Sequence, residues 1–121
     1  MEKKISILYV DDEALNLELF VLIFKKKFNI ITAESGAEGL EKLGGNRDIS
    51  VVISDMKMPG MNGVEFISKA RKRYNNIVYY ILTGFEITEE IAEALNKRLI
   101  NKYFKKPFNS KEIEASIAEI V

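Results

Sequence analysis

Neither histidine nor cysteine occurs in this 121-residue sequence, so its chemistry falls to carboxylates, lysines, hydroxyls and backbone groups. Disulfides, thiol catalysis, Cys- or His-ligated metals, Ser-His-Asp catalysis and a phosphohistidine carrier are all excluded. Four short stretches remain as candidates: Asp11-Asp12, Asp55 ahead of Met56-Lys57-Met58-Pro59-Gly60, Thr83-Gly84, and Lys105-Lys106-Pro107. Each alone has an ordinary reading. An Asp pair ahead of a helix can cap it, an Asp before Pro-Gly suits a turn, Thr-Gly suits a loop, and a Lys before Pro suits the surface. What distinguishes them is where they fall along the chain.

Short apolar runs alternate with helical patterns. The runs predict strands β1 over Ile5–Val10, β2 over Asn29–Ala33, β3 over Ile49–Ser54, β4 over Ile77–Leu82 and β5 over Lys102–Phe104. β1 and β3 are almost wholly apolar rather than alternating, as expected of strands covered on both faces. Between them, Leu15–Lys27 (α1) is strongly apolar and ends in three lysines, which suit the negative end of a helix dipole. Ser35–Leu43 (α2) opens with a Ser cap and Glu38 three places on, a capping box, and stops at Gly44-Gly45. Val64, Ile67, Ala70 and Tyr74 share one face of α3. Ile87, Ile91, Leu95 and Leu99 form a stripe on α4, behind Thr88 and Glu89-Glu90. Ile113, Ile117 and Ile120 mark α5, with Asn109 or Ser110 as cap. Five βα units imply a parallel sheet with helices on both faces and right-handed connections. Of the common orders, five strands favour 2-1-3-4-5, with ligands at the carboxyl edge where β1 and β3 meet. All four candidate stretches fall at carboxyl ends of strands.

Composition narrows the function. Lys plus Arg balance Asp plus Glu at 18 each, and 47% of the residues are hydrophobic. Zero net charge argues against nucleic-acid or membrane binding by bulk charge. No apolar run approaches a membrane span or a secretory signal, so the sequence reads as a cytoplasmic single domain over residues 1–121.

Three carboxylates crowded at one edge cannot all ionise without a counter-charge. A divalent cation and the nearby lysine are the simplest sources. Oxygen-only ligands select Mg²⁺, Mn²⁺ or Ca²⁺, and a few carboxylates with waters and a phosphate oxygen suit Mg²⁺ best. A carboxylate beside that cation, a Lys and a hydroxyl is set up to attack a phosphoryl group, with the charge developing on its oxygens neutralised.

The motifs Tyr-Val-Asp11-Asp12-Glu13, Ser-Asp55-Met-Lys-Met-Pro59-Gly-Met-Asn-Gly63, Leu-Thr83-Gly84 and Tyr103-Phe-Lys-Lys106-Pro107-Phe108 resemble those of response regulator receiver domains of bacterial two-component systems. The separations of 44, 28 and 23 residues between Asp11, Asp55, Thr83 and Lys106 also agree. The resemblance spans the chain and implies the flavodoxin-like receiver fold. It implies that Asp55 is the phosphoacceptor, taking a phosphoryl group from the phosphohistidine of a histidine kinase or phosphotransfer protein. Asp12 would ligate Mg²⁺, or Mn²⁺ in its place, with Asp11 acting mostly through water and Asp55 and the Lys57 carbonyl completing the protein ligands. Lys106 and the backbone N–H groups of Met56 and Gly84 would hold the phosphoryl oxygens. Thr83 would swing toward the phosphate and the Tyr103 ring turn inward, altering the α4-β5-α5 face. The Lys106–Pro107 bond would be cis. Lys106, not Lys105, is the lysine before Pro, and strand alternation points Lys105 the other way.

Met56, Met58 and Met61 read as packing for the β3–α3 loop, and the stripe on α4 as core. Tyr79-Tyr80 is unusual for an interior strand, normally filled by small aliphatics; packing is the preferred reading, with one ring reaching the surface as the alternative. Lys57 and Phe85, each two places beyond a site residue, supply neither base nor amide to orient water, and Phe85 could cover its approach; the phosphoryl group should be long-lived. The resemblance makes the chain a signalling switch rather than a turnover enzyme. An aspartyl-phosphate enzyme usually needs a second Asp where Lys57 stands, and a flavodoxin-type carrier would have its FMN phosphate repelled by Asp11-Asp12-Glu13. An inactive receiver-like scaffold, which tends to lose an acidic residue or the Lys, is the alternative. The output, whether a separate protein target or a fused domain, stays open, as does a phosphorylation-dependent dimer through α4-β5-α5.

Overall fold

The computed structural model describes residues 4–84 and 87–120. Five parallel strands form one sheet in the order β2-β1-β3-β4-β5. They are β1 Ser6–Val10, β2 Asn29–Ala33, β3 Ile49–Asp55, β4 Val78–Thr83 and β5 Lys102–Lys105, alternating with α1 Ala14–Phe24, α2 Gly36–Gly45, α3 Gly63–Arg73, α4 Glu89–Asn96 and α5 Ser110–Ala118. Every residue of β1 is buried. Its alternate side chains serve two cores: Leu8 and Val10 pack under α2, α3 and α4, while Ile7 and Tyr9 pack under α1 and α5. This is the doubly wound architecture that the apolar runs imply.

The starts of α2, α3, α4 and α5 carry side-chain caps, whereas Glu13 ahead of α1 makes none. The Ser35 hydroxyl accepts from Glu38 N–H, Thr88 from Ile91 N–H, and Asn109 from Lys111 and Glu112 N–H. The expected capping box at Ser35 is only half made, because the Glu38 carboxylate accepts from Glu34 N–H instead. A complete box stands at α3, where Asn62 accepts from Glu65 N–H and the Glu65 carboxylate accepts from Asn62 N–H, both at 2.9 Å. That box fixes the end of the β3–α3 loop, next to Asp55.

Other expectations are corrected. α1 ends at Phe24, ahead of Lys25–Lys27. α2 runs through Gly44-Gly45. α4 is shorter than its stripe: Ile87 precedes the Thr88 cap and is 43% exposed, and Leu99 follows the helix. The chain leaves α4 through Arg98 at φ 60°, the left-handed region. Ile120 lies beyond α5 and is exposed. Both Tyr79 and Tyr80 are buried, in line with the packing reading rather than its alternative; their hydroxyls find the carbonyls of Tyr74 and Ser116. A buried phenol with a carbonyl partner is no misfit in an interior strand. The methionines behave as expected, with Met56 and Met58 buried.

α1 is apolar on both sides. Leu17, Phe20 and Phe24 face the core, and Leu15, Leu19, Leu22 and Ile23 are exposed. At the amino edge of the sheet, Arg71 of α3 donates to the Leu99 carbonyl at 2.9 Å and to Asn101 Oδ1 at 3.1 Å, and lies over the Tyr79 ring. Asn101 also exchanges hydrogen bonds with the Tyr79 backbone through its Oδ1 and its N–H. At the carboxyl edge, one exposed contact joins the Asn62 amide to the Glu90 carboxylate on the first turn of α4.

Candidate functional site

The carboxyl ends of β1, β3 and β5 bring Asp11, Asp12, Asp55 and Lys106 together. Asp11 is fully buried and Asp12 exposed. Each of the three aspartates can offer one oxygen so that all three atoms lie within 4.8 Å of one another. Three carboxylate oxygens this close, with no nitrogen or sulfur donor, are the set a hard divalent cation selects. Lys106 Nζ lies 3.1 Å from Asp11 Oδ2 and 3.4 Å from Asp55 Oδ1. Lys105 ends β5 in register with Thr83 and is exposed, so alternation separates the two lysines as expected. The Lys106–Pro107 bond is cis.

Burial is the main influence on Asp55, pushing its carboxyl up to about 6; Lys106 and the Met56 N–H pull it down, and Asp11 adds to the rise. Burial alone would depress the Lys106 ammonium, but Asp55 and Asp11 outweigh it and raise its pKa. The pair is thus held as carboxylate and ammonium at neutral pH by mutual proximity, in a setting that burial makes unfavourable. Met56 N–H donates to Asp55 Oδ1 at 2.9 Å. A cleft of about 610 Å³ opens above, bordered by Asp12, Asp55, Lys57, Pro59, Gly84 and Lys106.

The remaining predicted residues sit at the margin. Thr83 is buried at the end of β4 and lines a smaller cavity of about 230 Å³ with Met56, Lys57, Asn62 and Thr88. Gly84 is exposed at the cleft. Tyr103 is half-buried on β5 and packs against the core under α2, α3 and α4. Phe85, assigned a covering role from the sequence, lies outside the described residues.

Three residues not singled out in the sequence also shape the site. The Tyr9 hydroxyl donates to Asp11 Oδ2 at 2.7 Å, and the Asn16 amide donates to the same oxygen at 3.2 Å. A period of two on β1 would have placed Tyr9 on the face of Asp11. Gly63 is the third. Its N–H donates to the Met56 carbonyl, and a Cβ there would stand 2.4 Å from the Asp55 carbonyl oxygen and 2.8 Å from Ile81 Cδ1. Backbone cannot yield as a flexible side chain does, so Gly63→Ala is expected to destabilise the fold by about 2–4 kcal/mol and shift the β3–α3 loop. Urea unfolding checks the first effect, and the amide chemical shifts of Met56 the second.

A family model described as "Response regulator receiver domain" matches residues 7–118. The hydrogenase transcriptional regulatory protein HoxA of Cupriavidus necator is 31% identical over 107 residues, covering 88% of this chain but 22% of HoxA. The chain thus spans about a quarter or less of the length of that regulator. A chemotaxis protein CheY homolog of Campylobacter jejuni is 32% identical over 95 residues, 77% of this chain and 72% of that protein. Among solved structures, one described as adenylate cyclase from Rhodopirellula baltica superposes with a TM-score of 0.89 at 35% identity, over 97% of this chain and 87% of that one.

Proposed function

This chain belongs to the response regulator receiver domain family, and from that premise we propose that residues 1–121 form a phosphorylation switch with Asp55 as its phosphoacceptor. One observation carries the reading: Asp55 is a buried carboxylate that lines a cleft together with Asp12 and Lys106, with the fully buried Asp11 beside it. Asp55 attacks the phosphorus of a phosphohistidine; the new P–O bond forms as the P–N bond breaks, and the imidazole leaves with the electron pair. Lys106 and the Met56 and Gly84 N–H groups donate to the phosphoryl oxygens as charge builds on them. Mg²⁺, or Mn²⁺ in its place, would be held by Asp12, Asp11, Asp55 and the Lys57 carbonyl and would supply neutralising charge at those oxygens.

Phosphorylation converts the singly charged Asp55 carboxylate into a doubly charged acyl phosphate, a net gain of about one negative charge, and places three strong acceptor oxygens at the end of β3. Thr83, beside the small cavity under Thr88, then moves toward the phosphate, and Tyr103 turns inward behind it. The change is read on the α4-β5-α5 face by a protein target or an attached output domain. The exposed apolar side of α1 is the surface assigned to the incoming phosphohistidine protein. Leu19 and Ile23 border a groove that leads to Lys106, and large exposed apolar patches mark protein contacts.

Intact-mass spectrometry after incubation with acetyl phosphate tests the reading. The expected result is a single phosphoryl adduct that needs Mg²⁺, is lost in EDTA and is absent from Asp55→Asn. No adduct on folded protein, with acetyl phosphate or with a phosphorylated histidine kinase, would replace the switch with an interaction scaffold.

A further inference from the structure

Asp11 is surrounded by more donors than its place as a cation ligand requires. Oδ2 accepts from the Tyr9 hydroxyl, the Asn16 amide and the Lys106 ammonium, and Oδ1 accepts from Glu13 N–H at 3.0 Å. The Tyr9 ring is buried and stacked on Phe20 with centroids 4.0 Å apart, so its hydroxyl is delivered to Asp11 on a rigid arm. A second neutral donor, the Asn16 amide, comes from the first turn of α1.

We propose that Tyr9 and Asn16 share the charge of Asp11, so that this buried carboxylate holds its counter-cations more loosely than it otherwise would. The inference rests on the proposed cation site, of which Asp11 is part. A neutral donor occupies a lone pair and draws charge from the carboxylate, leaving less for a cation. Orientation does not depend on either donor, because Glu13 N–H and Lys106 already fix both oxygens. Loosening serves the proposed reaction directly. Lys106 must give up part of its bond to Asp11 to meet phosphoryl oxygens on Asp55, and a buried carboxylate without the two neutral donors would keep it.

Calorimetric titration of unphosphorylated protein with Mg²⁺ alone tests this, on wild type, Tyr9→Phe and Asn16→Ala, with thermal melts in EDTA alongside. Tyr9→Phe keeps the ring stack and is expected to bind Mg²⁺ about three- to tenfold more tightly, with Asn16→Ala shifted less in the same direction. At saturating Mg²⁺, both variants should take up phosphoryl groups from acetyl phosphate more slowly, the mark of a lysine held back. Unchanged or weaker Mg²⁺ binding in the folded variants overturns the proposal, whatever the melting temperature does. Asn16 is only half-buried, so its variant decides the matter if Tyr9→Phe does not fold. A wild type that binds no Mg²⁺ overturns the cation site itself, an outcome distinct from wild-type binding that the variants leave unchanged.

Discussion

Asp55→Asn is expected to melt at a higher temperature than the wild type near neutral pH, although it removes the residue on which the proposed function depends. Asp55 is 8% exposed and the pKa of its carboxyl is raised to about 6, chiefly by burial. An acid whose pKa is raised on folding binds its proton more tightly in the native state. Its ionisation therefore costs stability as pH climbs from the unfolded value, 3.8, through about 6. Above that range the full penalty stands; below it the penalty is gone. A shift of this size corresponds to about 3 kcal/mol, a figure that already includes the attraction to Lys106; the weaker hydrogen bond that an amide oxygen accepts from Met56 N–H and Lys106 offsets part of it. A net gain of about 2 kcal/mol, or roughly 5–10 °C, is expected for the neutral isostere. The advantage should shrink toward zero as pH falls from about 6.5 to about 3, below the unfolded pKa, where Asp55 is protonated in both states. Thermal melts of the two proteins across that range, in EDTA, check the claim; a constant or negative difference would contradict it.

Lys106→Met is expected to do the reverse. Its ammonium is the counter-charge that two buried or nearly buried carboxylates share. Removing one partner of a buried ionic cluster leaves the rest uncompensated, at a cost of about 2–4 kcal/mol. Two remedies should each recover most of that loss. Acidification to about pH 5 protonates Asp55, and millimolar Mg²⁺ replaces the missing charge and stabilises by mass action. A variant damaged only in packing would gain no more from either than the wild type does. Phosphoryl uptake should also fall at least about tenfold, because a preorganised donor to the phosphoryl oxygens is gone. Melts with EDTA and with Mg²⁺, paired with adduct formation over time, separate these effects.

Much of this was legible in the residues, and the physical reasons for the rest are specific. Strand order followed from five βα alternations, because doubly buried strands such as Val51-Val52-Ile53 leave few ways to cover both faces. Asp11, Asp55 and Lys106 were found because the carboxyl edge collects whatever follows each strand. Tyr9 was not, since an aromatic in a core strand reads as packing until its hydroxyl is seen to end beside a carboxylate. Gly63 was quoted as part of a motif without a role, because closeness to the Asp55 carbonyl is a tertiary fact. The ends of α4 were misjudged for a related reason. Ile87 and Leu99 keep the four-residue spacing of Ile91 and Leu95, yet the Thr88 cap and the left-handed Arg98 stop the helix inside it. Periodicity reports which residues share a face, whereas caps and turns decide how far the face extends.

The two ends of α4 are anchored unequally, and this sets how the helix can move. Past its carboxyl end, the chain is tied through the Leu99 carbonyl and Asn101 to Arg71, which is itself seated on the Tyr79 ring. At its amino end, the Asn62–Glu90 contact is exposed to water. A tilt of α4 would therefore pivot near Arg71: over eight residues, about 12 Å, a tilt of about 10° would carry the Thr88 end through about 2 Å. Ile91, fully buried in the first turn, is the side chain that resists it, so freedom at the end beside Thr83 is set by core packing rather than by polar ties.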